Sequence, residues 1–204
     1  NIEVVYNSID LSRFQYRQPT FPIKKLCFVG RFEKRKGIWE TLDTYRRIKA
    51  IYPDIELNIA GSGPLKDAIQ NYLNSNDISG VNLIGYTKDV PGFMNENDLL
   101  IAPSYYEGFG IVLIEAMAIG LPVISTFTSA IPEIIKDNVN GFLTEAGSVD
   151  CLYYRIVSVL RLESSEVRSI CLEARKTVEE KFNMKKQVKS IEKGIYESVL
   201  FDHG

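Results

Sequence analysis

The chain has 204 residues, 45% of them apolar and 25% charged, with a formal net charge of -2. A domain of that length buries roughly 70% of the surface its unfolded chain exposes, so one α/β domain stands without disulfide or metal staples. The balanced charge gives no broad basic field of the kind a nucleic-acid partner needs, so any anion site has to be local. No apolar stretch approaches the roughly 20 residues of a membrane-spanning helix.

Cys27, Cys151 and Cys171 lie in apolar-patterned segments without metal-ligand spacing, which predicts reduced, buried thiols in a cytosolic protein. The chain opens at Asn1 with neither an initiator Met nor a charged-then-apolar leader. It therefore reads as a piece of a longer product.

In chain order, short apolar runs alternate with helical patterns, the signature of a parallel sheet covered on both faces. The first strand is predicted at Lys25 to Gly30, before a helix with Ile38, Leu42, Tyr45 and Ile48 at helical spacing. The second, Ile55 to Ala60, precedes a helix with Leu65, Ala68, Ile69, Tyr72 and Leu73 on one face. Further strands are predicted at Val81 to Gly85, Asp98 to Ala102, Pro122 to Ser125 and Gly141 to Thr144. Beyond Ser148 the pattern is helical throughout, with Leu152, Ile156 and Leu160, then Val167, Ile170, Ala174 and Val178. A final helix, Lys185 to Leu200, carries Val188, Ile191, Ile195 and Val199. No repeat or linker interrupts the chain, so residues 1–204 are expected to form a single domain with a Rossmann-like parallel sheet and helices on both faces.

In such a sheet ligands bind beyond the carboxyl ends of the strands. After the first strand, Gly30 to Gly37 holds four cations, of which Arg31 and Lys36 are the two expected to point inward at a diphosphate. A solvated basic turn accounts for the same residues equally well. After the second strand, Gly61-Ser62-Gly63-Pro64 opens a helix but does not complete a G-x-G-x-x-G fingerprint, which argues against a nicotinamide dehydrogenase. The third loop, Gly85 to Val90, offers Tyr86 as a stacking face for a base, or simply as packing.

The fourth loop is the most informative. Glu107-Gly108-Phe109-Gly110 precedes Ile111-Val112-Leu113-Ile114-Glu115-Ala116-Met117-Ala118, a helix apolar all round and therefore expected to be buried on every side. Glu115, its one charge, lies too deep for a first-turn dipole effect. A buried carboxylate needs donors, and paired ligand hydroxyls would supply them. The glycines leave backbone amides bare at the helix start, suited to phosphate or sugar oxygens. A capping role for Glu107 and a structural ion pair for Glu115 are the alternatives.

The stretch from Glu107 to Glu115, with Ala-Met-Ala-Ile-Gly-Leu-Pro-Val-Ile after it, resembles the E-x7-E segment of the retaining glycosyltransferase family 4. The resemblance runs through Gly30-Arg31, Lys36-Gly37, Gly61 to Pro64, Pro132-Glu133 and Gly141-Phe142-Leu143, and the opening Val5 to Asp10 is similar to the family's entry turn, with Ser8 in place of the commoner glycine. Ser129-Ala130-Ile131 departs from the glycines common there.

The resemblance implies the C-terminal, donor-binding half of a two-domain glycosyltransferase-B fold, with the N-terminal acceptor domain missing. Arg31 and Lys36 would hold the diphosphate of a nucleotide sugar, Glu115 the ribose hydroxyls, and the amides of Gly108, Phe109, Gly110 and Ile111 the phosphate and sugar. Glu107 would stand beside the transferred sugar, and Gly61, Tyr86 and Val90 would line the nucleotide site. No cofactor and no metal are implied, in keeping with the lack of a D-x-D sequence. His203, the penultimate residue, is not expected to be catalytic. The implied setting is polysaccharide biosynthesis in the cytoplasm, with a hexosyl group passed to a glycan, lipid or other acceptor reached through the missing domain, and the inner face of the membrane as the place where that acceptor is lipid-linked. A non-catalytic nucleotide-sugar-binding domain, or half of a related epimerase or phosphorylase, is the alternative.

Overall fold

The computed structural model describes residues 5–201, with the side chains of residues 5–192. Its six strands are β1 (Lys25–Val29), β2 (Glu56–Ala60), β3 (Val81–Gly85), β4 (Leu99–Ala102), β5 (Val123–Thr126) and β6 (Phe142–Thr144). They pair in parallel in the order β3-β2-β1-β4-β5-β6. The helices are α1 (Ile38–Lys49), α2 (Lys66–Ser75), α3 (Val90–Asn95), α4 (Ile111–Ile119), α5 (Ile131–Ile134), α6 (Val149–Leu160), α7 (Ser164–Lys181) and α8 (Met184–Phe201). Each predicted strand is present: β3 has the predicted bounds and the others differ by one residue at one or both ends. Asp98 lies just before β4, where its Oδ2 accepts the amides of Lys24 and Lys25 at 2.9 and 2.8 Å.

The strands alternate between two cores, as a sheet buried on both faces must. In β1, Leu26 and Phe28 join α1 and α6 through Ile38, Leu42, Tyr45, Leu152 and Ile156. Cys27 faces the other way, toward Met94 of α3, Ile114 and Met117 of α4, and Ala174 and Val178 of α7.

Three expectations need correction. Cys27 and Cys171 are buried, but Cys151 is only partly covered because it sits in the first turn of α6, where its amide donates to the capping Ser148. α4 is not buried on every side: its amino end meets the surface and leaves Ile111 48% exposed, while Leu113 to Ile119 apart from Glu115 are sealed. The final helix starts one residue earlier, at Met184. The side chains of Ile195 and Val199, and all of His203, lie outside the described residues.

The entry segment is tied to the far end of the fold. Ile9 donates its amide to the Phe182 carbonyl at 2.9 Å and accepts from the Met184 amide at 3.0 Å. Phe182 then packs edge-on against Tyr6 and Phe109, with ring centroids 5.7 and 5.6 Å away.

Candidate functional site

The chain leaves β1 for β2 and β3, then returns to the other side of β1 as β4. The loops after β1 and β4 therefore diverge and open a crevice where the order reverses, the place at which open α/β sheets bind ligands. Two contacts set the distance between these loops. Gly37, at φ 73°, puts its Cα so close to the loop after β4 that an added Cβ would stand 2.2 Å from the Pro103 carbonyl oxygen. The Tyr105 amide donates to the Arg35 carbonyl at 2.8 Å.

That approach brings together two residues 71 apart in sequence. Lys36 Nζ donates to Glu107 Oε2 at 2.5 Å, with each side chain 15% exposed. The Ser104 hydroxyl reaches the same oxygen at 3.4 Å. Ser104 is itself held by the buried Thr126, whose hydroxyl donates to the Ser104 carbonyl at 2.6 Å. Tyr105 donates to Glu40 Oε1 at 2.5 Å, which ties the loop to α1, and this bond, with burial second, raises the phenol above its ordinary pKa. Glu107 does not cap α4, whose N-cap is Gly110 with no side-chain cap.

Arg31 does not point inward as expected. Its side chain is 68% exposed and its Nε meets Glu33 at 2.7 Å. Glu33 holds Arg35 as well, and the two guanidinium groups, Arg35 foremost, keep its carboxyl below the usual range. The carboxylate two residues away gives this long side chain a partner at the surface. Arg31 nonetheless lines the mouth of a cavity of about 250 Å³ with Gly30, Gly61, Tyr86, Thr87 and Val90. Tyr86 is 71% exposed there. Gly61 is needed for packing as well as for access, since a Cβ on it would stand 1.8 Å from the Gly30 carbonyl oxygen.

Glu115 projects from the second turn of α4 and is partly buried. Burial raises its carboxyl above the ordinary value, and Arg13 pulls it back only in part. Among the described residues no cation lies within ion-pair distance of it, so the alternative of a structural ion pair is not what the geometry shows. Phe109 is turned away from the crevice, into the aromatic trio with Tyr6 and Phe182, so its contribution is its backbone. Gly108 faces open space.

Sequence reasoning missed Ser104, Thr126, Tyr105, Glu40 and Glu33. Hydroxyl and carboxyl side chains of these kinds occur throughout the chain, and only the register of β4 against β5 and the approach at Gly37 single them out. A larger cavity of about 470 Å³ lies at the amino ends of β1 and β2, beside Phe21, Tyr52 and Leu162. The strand carboxyl ends are remote from it. No described helix is long and apolar enough to cross a membrane, and no described cluster of His, Cys, Asp or Glu has the makings of a metal site.

Strand order, the crevice at its reversal and helices on both faces define an open Rossmann-like domain of the type found in glycosyltransferase-B folds. The chain belongs to the glycosyl transferases group 1 family, whose profile matches residues 13–177. It is 31% identical to an uncharacterized glycosyltransferase of Methanocaldococcus jannaschii over 96% of this chain and 53% of that protein. It is 30% identical to the N-acetyl-alpha-D-glucosaminyl L-malate synthase of Bacillus anthracis over 99% and 55%. The chain thus spans about half the length of these relatives. Among solved structures it superposes on Anabaena HepE in complex with UDP and glucose with a TM-score of 0.82, at 21% identity over 95% of this chain and 56% of that one. The C-terminal domain of a group 1 glycosyltransferase from Francisella tularensis superposes at 0.76, with 24% identity over 86% of this chain and 99% of that one.

Proposed function

We propose that this chain is the C-terminal, donor-binding domain of a retaining glycosyltransferase of family 4, which holds a nucleotide diphosphate sugar for transfer of a hexosyl group. The observation that carries the reading is the largely buried Lys36–Glu107 pair at the strand-order reversal, in a fold that also carries a cavity lined by Gly61, Tyr86 and Val90 and the partly buried Glu115 on α4. Lys36, assisted by Arg31 when it leaves Glu33, neutralises the diphosphate. The bare amides from Gly108 to Ile111 at the start of α4 add a partial positive charge where the leaving group develops its own negative charge. That two sources of positive charge converge on the diphosphate supports transfer without a metal ion. Acceptor groups belong to an N-terminal domain, through which a lipid-linked acceptor at the cytoplasmic membrane face would be reached. The likeness to a separately folded C-terminal domain supports that division.

The test is calorimetry of the purified chain with UDP-glucose, GDP-mannose and ADP-glucose, with and without EDTA. Saturable binding of one of them, unchanged by EDTA, is expected. Failure of all three sinks the reading, and binding lost in EDTA sinks its metal-free part.

Glu115 makes a second prediction. As a raised carboxyl it binds more protons folded than unfolded, so it costs stability as the pH rises through the interval between its unfolded and folded values. Glu115→Gln should raise the thermal midpoint at neutral pH, a gain in stability at the expense of function. If its carboxylate accepts the ribose diol, the same change removes about tenfold or more of the preference for a ribose donor over its 2'-deoxy analogue, the scale of a charged hydrogen bond. Equal preference in parent and variant would assign Glu115 elsewhere.

A further inference from the structure

Lys36 and Glu107 cancel each other's charge at 2.5 Å, with each side chain only 15% exposed. Among the described residues Lys36 is the one cation at ion-pair distance from Glu107. The other charged groups around it are already committed. Arg35, on the same turn as Lys36, offers Glu107's loop its carbonyl while its guanidinium holds Glu33. Glu40 of α1 accepts from Tyr105, and Arg31 meets Glu33. From the β5 side come only the hydroxyls of Thr126 and Thr128, on the Ser104 carbonyl. On α4 the nearest titratable group is Glu115, another carboxyl.

A diphosphate oxygen that engages the Lys36 ammonium therefore arrives within a few ångströms of the Glu107 carboxylate. Like charges that share one cation in a covered site cannot both stay ionised at no cost, and the weaker acid responds by taking a proton. We propose that Glu107 is a placeholder for the diphosphate on Lys36, and that it takes up one proton from solvent as the nucleotide sugar binds. This rests on the donor-site reading above. The proton goes to the carboxylate oxygen released by Lys36 and converts Glu107 from an acceptor into a donor, able to hydrogen-bond a phosphate or sugar oxygen. Glu107 thus enters the bound state neutral, and donor affinity rises as pH falls.

The experiment takes whichever of UDP-glucose, GDP-mannose and ADP-glucose binds the chain, because their diphosphate diesters do not titrate near neutrality. Binding enthalpy is measured in buffers of different ionisation enthalpy, for the parent and for the isosteric Glu107→Gln. The parent should take up close to one proton, and its dissociation constant should fall as the pH is lowered. Glu107→Gln should bind about tenfold more tightly at neutral pH, because the like charge is gone, and should take up none. Enthalpy independent of buffer in the parent, or affinity unchanged or weakened in Glu107→Gln, would overturn the placeholder role while leaving the donor site standing. Should the variant fail to fold, the parent's proton count decides alone. No binding of any of the three sugars overturns both.

Discussion

Lys36→Ala is expected to weaken nucleotide-sugar binding by about 1.5–3 kcal/mol, roughly 10- to 150-fold in Kd. The ammonium is the cation that the approach of the two loops places in the crevice, 15% exposed and fixed by Glu107. Its removal also leaves Glu107 without its partner, in surroundings that hydrate it poorly. A diphosphate would then face an unpaired carboxylate, so the loss should lie at the upper end of the range. A cycle with Glu107→Gln separates the two contributions: if they share one charge balance, the double variant recovers part of the affinity lost in Lys36→Ala. Calorimetry of the four proteins at fixed salt reads this directly. An unchanged Kd in Lys36→Ala removes the residue from the site.

Gly37→Val should be strongly damaging to the fold near the site. At φ 73° a β-branched residue is strained by roughly 1–2 kcal/mol before any contact is counted. Its Cβ would also stand 2.2 Å from the Pro103 carbonyl oxygen and 2.9 Å from the Pro103 carbonyl carbon, which is backbone with nowhere to go. A loss of about 3 kcal/mol or more in urea unfolding is expected, the size reserved for backbone strain and overpacking. Gly108→Ala is the control, because its Cβ meets nothing within 4 Å. It should cost less than about 1 kcal/mol. If the two variants unfold at the same denaturant concentration, the loop approach at Gly37 does not hold the crevice together.

The sheet was legible because parallel strands buried on both faces appear as bare apolar runs: Leu26-Cys27-Phe28-Val29 and Leu99-Leu100-Ile101 need no partner to be recognised. The helices followed from their stripes, as with Ile38, Leu42, Tyr45 and Ile48. Pairings across long separations were not legible. Lys36 and Glu107 stood out individually, but their contact depends on a glycine packed on a proline 66 residues further along the chain. Arg31 was misplaced for a local reason, the carboxylate of Glu33 at i+2. Burial of α4 was overstated because composition says how apolar a helix is, not which end reaches solvent. Ile111 shows the difference. Glu115 was found by its isolation, the one charge in an apolar helix, and by its place in the E-x7-E segment, and its raised pKa comes from its burial.

The aromatic trio of Tyr6, Phe109 and Phe182 gives the crevice a mechanical connection to the back of the molecule. Phe109 is two residues from Glu107, and its ring is gripped by the segment where the chain enters and by the corner between α7 and α8. The loop that carries the Lys36 partner is therefore anchored at both ends of its span, by Tyr105 on the Arg35 carbonyl and by Phe109 in the aromatic cage. A lever that tilts α8 or draws residue 6 away from Phe182 pulls on the second anchor while the first holds. The loop would turn about Tyr105, and Glu107, lying between the two, would swing with it.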